Sequence, residues 1–407
     1  MAAIRGVDVR RWSAGLAVAL AALAAATAAS AGASRDWVVF SVWSGLPVPV
    51  GKTLGDLARC GGVWAVRTDG TDLHRLVAGF EPSRPSWSEP LQAVASPDGR
   101  SVAVVRFSTT RSERRRIDVL DVETGRIRTV ATTPALFPSG VWWSPTGTGF
   151  AYLSKQRGRT QLRYVDLAAG TRRLLATALV LDVSFAPDGS RLAAHVFTED
   201  AASVLVLPVT GGAAYGLAAD AIAPAWSPDG DKVAFLRPDV DDETYALHVV
   251  APDGSDDRTL ATGLLGGRAM LVWTPDSAEV VAPRAPTSAR YPGQVNGAAV
   301  PTAYALAGGQ RTLLGTAALP VGFADGGARF VAIREQLLRG RRSGAENVWT
   351  IRVANVGAPG QRIVGVVDEQ DVNVNGIPSI LPRESRPLGP GPASPRCAAT
   401  LVRVKSS

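Results

Sequence analysis

One short phrase recurs along most of this 407-residue chain. It reads ASPDG at 95–99, WSPTG at 143–147, FAPDG at 185–189, WSPDG at 226–230 and WTPDS at 273–277, with a worn copy, FADGG, at 323–327. Successive copies lie roughly 40–50 residues apart, a period that signals a propeller, solenoid or array. The period constrains the fold and leaves the ligand open.

Each copy has a physical reading. Pro followed by Asp-Gly is turn chemistry, because Pro presets φ and Gly tolerates positive φ. Before each turn an apolar run ends in an aromatic residue: Trp143, Phe185, Trp226, Trp273 or Phe323. After it comes a β-rich run, such as SVAVVR at 101–106 or KVAFL at 232–236. Two such runs joined by a tight turn form a hairpin. A second hairpin with Gly near its turn follows each first one, from VWAVRTDGTDLHRLV at 63–77 to VWTIRVANVGAPGQRIV at 348–364. Two hairpins make one four-stranded antiparallel propeller blade. The expected fold is all-β, a closed β-propeller of seven blades, with six as the alternative.

The tally of hairpins is offset. Seven second hairpins accompany six Pro-Asp-Gly hairpins, and DWVVFS at 36–41 supplies only the outer half of the seventh. Its missing innermost strand is expected from the far end, around 366–381. This closure leaves no open sheet edge. The aromatics that precede the turns are expected to be structural, packed between neighbouring blades.

These repeats resemble the TolB-type, WD40-like propeller repeat, W-S-P-D-G followed by an apolar strand and a later D-G turn. The resemblance covers roughly 37–365 and implies a fold rather than an activity. TolB itself is similar to a propeller preceded by a separate α/β domain. Only about 35 residues precede the first strand here, so the chain is not expected to be TolB.

The ends of the chain set its organisation. Residues 1–33 read as a signal peptide: Arg5, Arg10 and Arg11 precede an apolar run from Trp12 to Ala29, with small-residue cleavage sites at 29–33. The propeller is assigned to 34–381 and a Pro-rich C-terminal tail to 382–407. The mature chain is expected to be exported, periplasmic or extracellular, monomeric, and without a membrane span. Its two cysteines, Cys60 and Cys397, could form a disulfide; two free thiols are the alternative. The net charge of +7 comes from arginine. No basic run is interleaved with aromatics, which argues against nucleic acid.

Few residues suggest catalysis. His74, His195 and His248 fall in different blades and on none of the innermost strands, which argues against a shared metal. Prolyl-oligopeptidase relatives carry a similar propeller beside a hydrolase domain with a G-x-S-x-G elbow; no elbow occurs here. No cofactor is expected beyond a possible Ca2+ at Asp371, Asn373 and Asn375, which match D-x-N-x-N-G, although the twelfth position is Pro382 rather than Glu.

Loop charge is more suggestive. The loops after second and fourth strands share one face, and several there are basic. Arg111, Arg114, Arg115, Arg116, Lys155, Arg157, Arg159, Arg339, Arg341 and Arg342 are expected to form an arc over blades two, three and seven. An acidic pair of blades, four and five, completes a polarised face that could steer partners. The expected function is a non-enzymatic envelope or extracellular binding scaffold. Its partner would be a protein or an anionic glycan on the long-loop face. A polysaccharide-degrading propeller enzyme with a site in the channel is the alternative.

Overall fold

The computed structural model describes residues 36–42, 61–79, 87–108, 114–134, 140–197, 201–239, 244–265, 271–284, 299–339, 345–358, 360–368, 378–389 and 391–392. The chain divides into Met1–Ser34 and Arg35–Ser407, and all described residues belong to the second unit. The signal segment, Cys60, Cys397, Asp371, Asn373, Asn375, Arg111, Arg341 and Arg342 lie outside the described residues. No helix among the described residues is long and apolar enough to cross a membrane.

The described chain is antiparallel β-structure throughout. It begins with β1 (Trp37–Val42), β2 (Gly62–Arg67) and β3 (His74–Ala78). The second sheet is β4 (Trp87–Ala95), β5 (Ser101–Ser108), β6 (Arg114–Asp121) and β7 (Ile127–Pro134). The third is β8 (Val141–Trp143), β9 (Gly149–Gln156), β10 (Arg159–Asp166) and β11 (Arg172–Ala176). The fourth is β12 (Leu179–Phe185), β13 (Arg191–Phe197), β14 (Ala202–Pro208) and β15 (Tyr215–Ala219).

Two further four-strand runs follow. One is β16 (Ile222–Trp226), β17 (Val233–Pro238), β18 (Tyr245–Val250) and β19 (Arg258–Leu264); the next is β20 (Val272–Trp273), β21 (Glu279–Arg284), β22 (Val300–Ala305) and β23 (Gln310–Thr312). The last sheet is β24 (Leu319–Ala324), β25 (Arg329–Arg339), β26 (Ala345–Asn355) and β27 (Gln361–Asp368). Then β28 (Ser379–Leu381) pairs with β1, and β29 (Gly391–Pro392) pairs with β3. The inner partner of β1 thus falls inside the expected stretch 366–381.

The blade count differs from the expectation of seven or six. Among the described residues the strands form five discrete sheets of four or five strands and one sheet of eight. The physical cause is local. Leu264 at the end of β19 pairs with Arg284 at the end of β21, and this single rung joins two four-strand runs into one sheet.

The recurring phrase is a hydrogen-bonded unit. In the first copy the Ser96 hydroxyl donates to Asp98 Oδ1 at 2.6 Å and accepts the Ser101 amide at 2.9 Å. Asp98 Oδ1 also accepts the Arg100 amide at 3.1 Å. Ser227 and Asp229 repeat the pattern, as do Thr274 and Asp276. Serine or threonine, proline, aspartate and glycine recur because each closes part of the same turn.

The turns also pack on one another from sheet to sheet. Gly147 has φ +67°, and a Cβ there would lie 2.2 Å from Asp98 Cγ in the preceding sheet. Gly189 similarly abuts Ser144, Gly230 abuts Pro187 and Gly327 abuts Pro275. Where the phrase ends in Ser277 instead, φ is +58° and the Ser277 hydroxyl accepts the Asp229 amide at 3.1 Å. Between the last sheet and the first, Asp36 and Asp325 cap each other: the Asp36 amide donates to Asp325 Oδ1 at 2.9 Å and the Asp325 amide to Asp36 Oδ2 at 2.6 Å. Arg329 Nε pairs with Asp325 Oδ2 at 3.2 Å.

The core lies between sheets. Val105, Ile117 and Val119 of the second sheet pack with Trp143 and Phe150 of the third. Leu153 and Leu162 meet Phe185 and Leu192, and Ala193 and Val206 meet Trp226 and Phe235. Trp273 packs with Ala234 and Leu247, and Phe323 lies against a cluster containing Val281 and Phe330. Trp143 Nε1 donates to Val94 O and Trp273 Nε1 to Ala225 O, both at 2.9 Å and both across the seam. Trp226 Nε1 instead closes its own turn on Gly230 O at 3.1 Å.

The described part of the C-terminal tail lies against the first and second sheets. The Leu388 amide donates to Val122 O at 2.7 Å, Arg67 Nη2 to Glu384 O at 2.9 Å, and Arg386 Nε pairs with Asp72 Oδ1 at 3.2 Å. His74 is buried beneath it, with its ring nitrogens 3.0 Å from the carbonyl oxygens of Asp72 and Pro387. The tail then adds β29 to the outer edge of the first sheet.

Two substitutions separate turn conformation from turn packing. Gly147→Ala and Gly170→Ala both force a side chain into the left-handed region, costing about 1–2 kcal/mol each. Gly170 has φ +66° and open space around it. Chemical denaturation should therefore show Gly147→Ala as clearly the more destabilising; equal effects would mean that turn stacking contributes nothing. Trp226→Ala should cost about 3–5 kcal/mol as a large buried aromatic. Unchanged stability would remove Trp226 from the core.

Candidate functional site

A cleft of about 420 Å3 opens between the second and third sheets. Its walls are the end of β7 (Ala131, Thr132, Thr133, Pro134), part of β9 (Tyr152, Ser154, Lys155, Gln156), Arg163 of β10 and Arg172 of β11. Three of these side chains are cations and none is an acid. The sheets converge here because apolar residues of both fill the seam below, while the strand ends carry polar residues to the surface.

The cations are held differently. Arg163 Nη2 donates to Gln161 Oε1 at 2.8 Å and Gln156 Oε1 at 3.1 Å, and its Nε donates to Ser154 Oγ at 3.1 Å. Neutral acceptors thus fix the guanidinium, and no carboxylate among the described residues pairs with it. Arg172 Nη2 donates to Val130 O across the seam. Burial pushes the Tyr152 phenol above its ordinary pKa, partly offset by Arg172 and Arg163. Lys155 is exposed at the cleft rim. Beyond it, Arg157 (φ +50°) and Arg159 are exposed at the β9–β10 turn.

The expected arc is thus only partly assembled. Lys155, Arg157 and Arg159 are exposed around one turn, with Lys155 opposite Thr160 and Arg159 opposite Gln156, and Arg114 is exposed at the start of β6. Arg115 and Arg116 are corrected: they are 7% and 3% exposed, inside β6 rather than at a hairpin tip. The strand starts earlier than the charge run suggested, with Arg115 opposite Phe107 and Arg116 opposite Arg106. Arg116 Nε reaches Asp118 Oδ2 at 2.8 Å, and Arg106 Nε lies 3.8 Å from the same oxygen. Burial lowers the Arg115 pKa to about 10. Burial also raises the Asp118 carboxyl, against the pull of Arg116, Thr129 and Arg106. Arg339 ends β25, opposite Ala345.

Arg163 and Arg172 were missed because they sit within strands, where the hairpin pattern drew the reading to the turns. Their signal was a cation interrupting each apolar alternation, in RYVDL and TRRLL.

Two other groups carry chemistry. Asp182 on β12 sits beside a β-bulge, where its Oδ1 accepts the Val183 amide at 2.8 Å and Trp142 Nε1 at 3.1 Å. Burial pushes its pKa up to about 6, against these hydrogen bonds. His248 Nδ1 lies 2.8 Å from Asp257 Oδ1, its ring stacks on Phe235, and the Thr259 hydroxyl is 3.5 Å from Nε2. Burial lowers the pKa of His195, whose Nε2 has no hydrogen-bond partner. Among the described residues no group of three potential ligands could hold a metal ion.

The raised Asp182 pKa has a signed consequence. Its folded value exceeds its unfolded one, so the stability it contributes is full below pH 3.8 and is lost as pH rises through about 6. Replacing Asp182 by Asn should flatten this part of the stability–pH curve. An unchanged curve would show that the carboxyl is not desolvated.

No family model matches the sequence, and no curated protein matches it. Solved structures match by shape. TolB from Acinetobacter baumannii aligns at 14% identity over 70% of this chain and 64% of that one, with a TM-score of 0.47. The match therefore spans just under two thirds of that relative. An oligogalacturonate lyase in complex with manganese aligns at 11% identity over 73% and 83%, with a TM-score of 0.52. A prolyl endopeptidase aligns at 12% identity over 74% and 45%, also with a TM-score of 0.52. At these identities the likeness is one of fold alone: this chain is an all-β β-propeller with four-stranded antiparallel blades.

Proposed function

We propose that this chain is an exported, non-enzymatic propeller that acts as an envelope or extracellular binding scaffold. Its long-loop face takes an anionic partner. The observation that carries the reading is the cleft between the second and third sheets, with Lys155, Arg163 and Arg172 and no acid among the described residues of its lining. Lys155, Arg157 and Arg159 extend this positive field outward. Such a field attracts anions and accelerates encounter.

A ring fits this role, and the contacts that run β4–β8–β12–β16–β20–β24–β28 and back to β4 support it. The Asp-Gly turns occupy one face and the described tail crosses part of it, whereas the cleft lies at the opposite strand ends.

Binding of the purified protein to an immobilised sulfated polysaccharide should fall as salt rises, because the screening length shrinks to roughly 10 Å near 0.1 M. Reversing Lys155, Arg157 and Arg159 to Glu should slow association more than it speeds dissociation. Salt-independent binding, unaffected by the triple reversal, would overturn the reading.

Asp182 favours a second reading, a polysaccharide-acting enzyme. A carboxyl with a pKa near 6 beside Trp142 suits acid–base work. Turnover of a glycan panel that disappears in Asp182→Asn would establish it.

A further inference from the structure

We infer that the cleft between β7, β9 and β10 is a subsite for one acidic saccharide unit, a sugar bearing a carboxylate or sulfate. This rests on the anion-binding reading above and names the ligand class for the same site. Three observations select it: its size, its lining and the fixed place of its arginines. The cleft, about 420 Å3, is of small-ligand size, within the roughly 300–1,000 Å3 common for such pockets.

Its lining argues against other anions. Among the described residues of its lining only Ala131 and Pro134 are aliphatic, and both are small. Tyr152 is its only aromatic residue and is 2% exposed, so no open ring face is offered to a nucleobase. What remains is a mixture suited to a hydroxyl-rich anion. Lys155, Arg163 and Arg172 provide charge, while Thr132, Thr133, Ser154 and Gln156 provide neutral donors and acceptors.

The site is also partly preorganised. Arg163 is fixed by Gln161, Gln156 and Ser154, and Arg172 by Val130 O, so little side-chain freedom is lost on binding. With Nε and Nη2 of Arg163 held by Ser154, Gln161 and Gln156, its Nη1 is the donor that can meet a ligand oxyanion. Lys155, exposed on the rim, can follow the ligand. Thr132 is exposed on β7, where its hydroxyl can meet a sugar hydroxyl.

Calorimetric titration of the purified protein tests the assignment. The probes are a linear trisaccharide of hexuronic acid, the matching neutral hexose trisaccharide, sodium sulfate and phosphatidylglycerol vesicles. The acidic trisaccharide should bind at least about tenfold more tightly than the neutral one, a difference of about 1.4 kcal/mol. Lys155→Ala should weaken both the acidic trisaccharide and sulfate. Thr132→Val preserves a β-branched strand residue, and it should weaken the trisaccharide about threefold while sparing sulfate. Equal affinity for acidic and neutral sugars would overturn the proposal. So would preference for vesicles, or sulfate binding without trisaccharide binding. Retention on the sulfated polysaccharide without trisaccharide binding would remove the subsite and leave the scaffold function standing. Loss of both would remove both.

Discussion

Packing of one Asp-Gly turn against the next is the contact on which the rest of this structure depends. Within a turn, the Ser96 hydroxyl and the Asp98 carboxylate satisfy each other and two amides. Between turns, Gly147 lets that carboxylate approach where a side chain would collide. The sheets are thereby held at a repeated angle, and the apolar seams fill the space between them. One deviation shows the same constraint met differently: Ser277 replaces glycine and takes the Asp229 amide on its hydroxyl. At the worn copy, Asp325 reaches across to Asp36 instead.

Much of this was legible in the sequence because the turns use residues with narrow conformational roles. Pro, Asp and Gly fixed the hairpins, and an aromatic before each turn marked the inter-sheet core. The offset of hairpins pointed to a late strand beside β1, and Ser379–Leu381 occupies that place. What the repeats could not show was the Leu264–Arg284 rung, a contact made by strand ends outside the repeated phrase. Nor did a Pro-rich composition show that the tail would dock through its backbone carbonyls.

The candidate site was half legible for a related reason. Loop charges were read as surface charges, which holds for Lys155, Arg157 and Arg159 at a tight turn. It fails for Arg115 and Arg116, because pairing of β5 with β6 carries them into the sheet. Arg116 there meets Asp118, a pair whose removal from water opposes much of its attraction. The cleft's two strand-borne arginines were invisible to a reading of loops. The proposed binding face therefore combines a turn that the sequence exposes with strand residues that only the packed seam brings together.

Hydrogen exchange measured with and without a sulfated polysaccharide tests this division of labour most directly. The account predicts protection along the ends of β7 and β9 and the start of β10, with the Asp-Gly turns unchanged. Protection confined to the turns, or to β8 and β12 around Trp142 and Asp182, would contradict it.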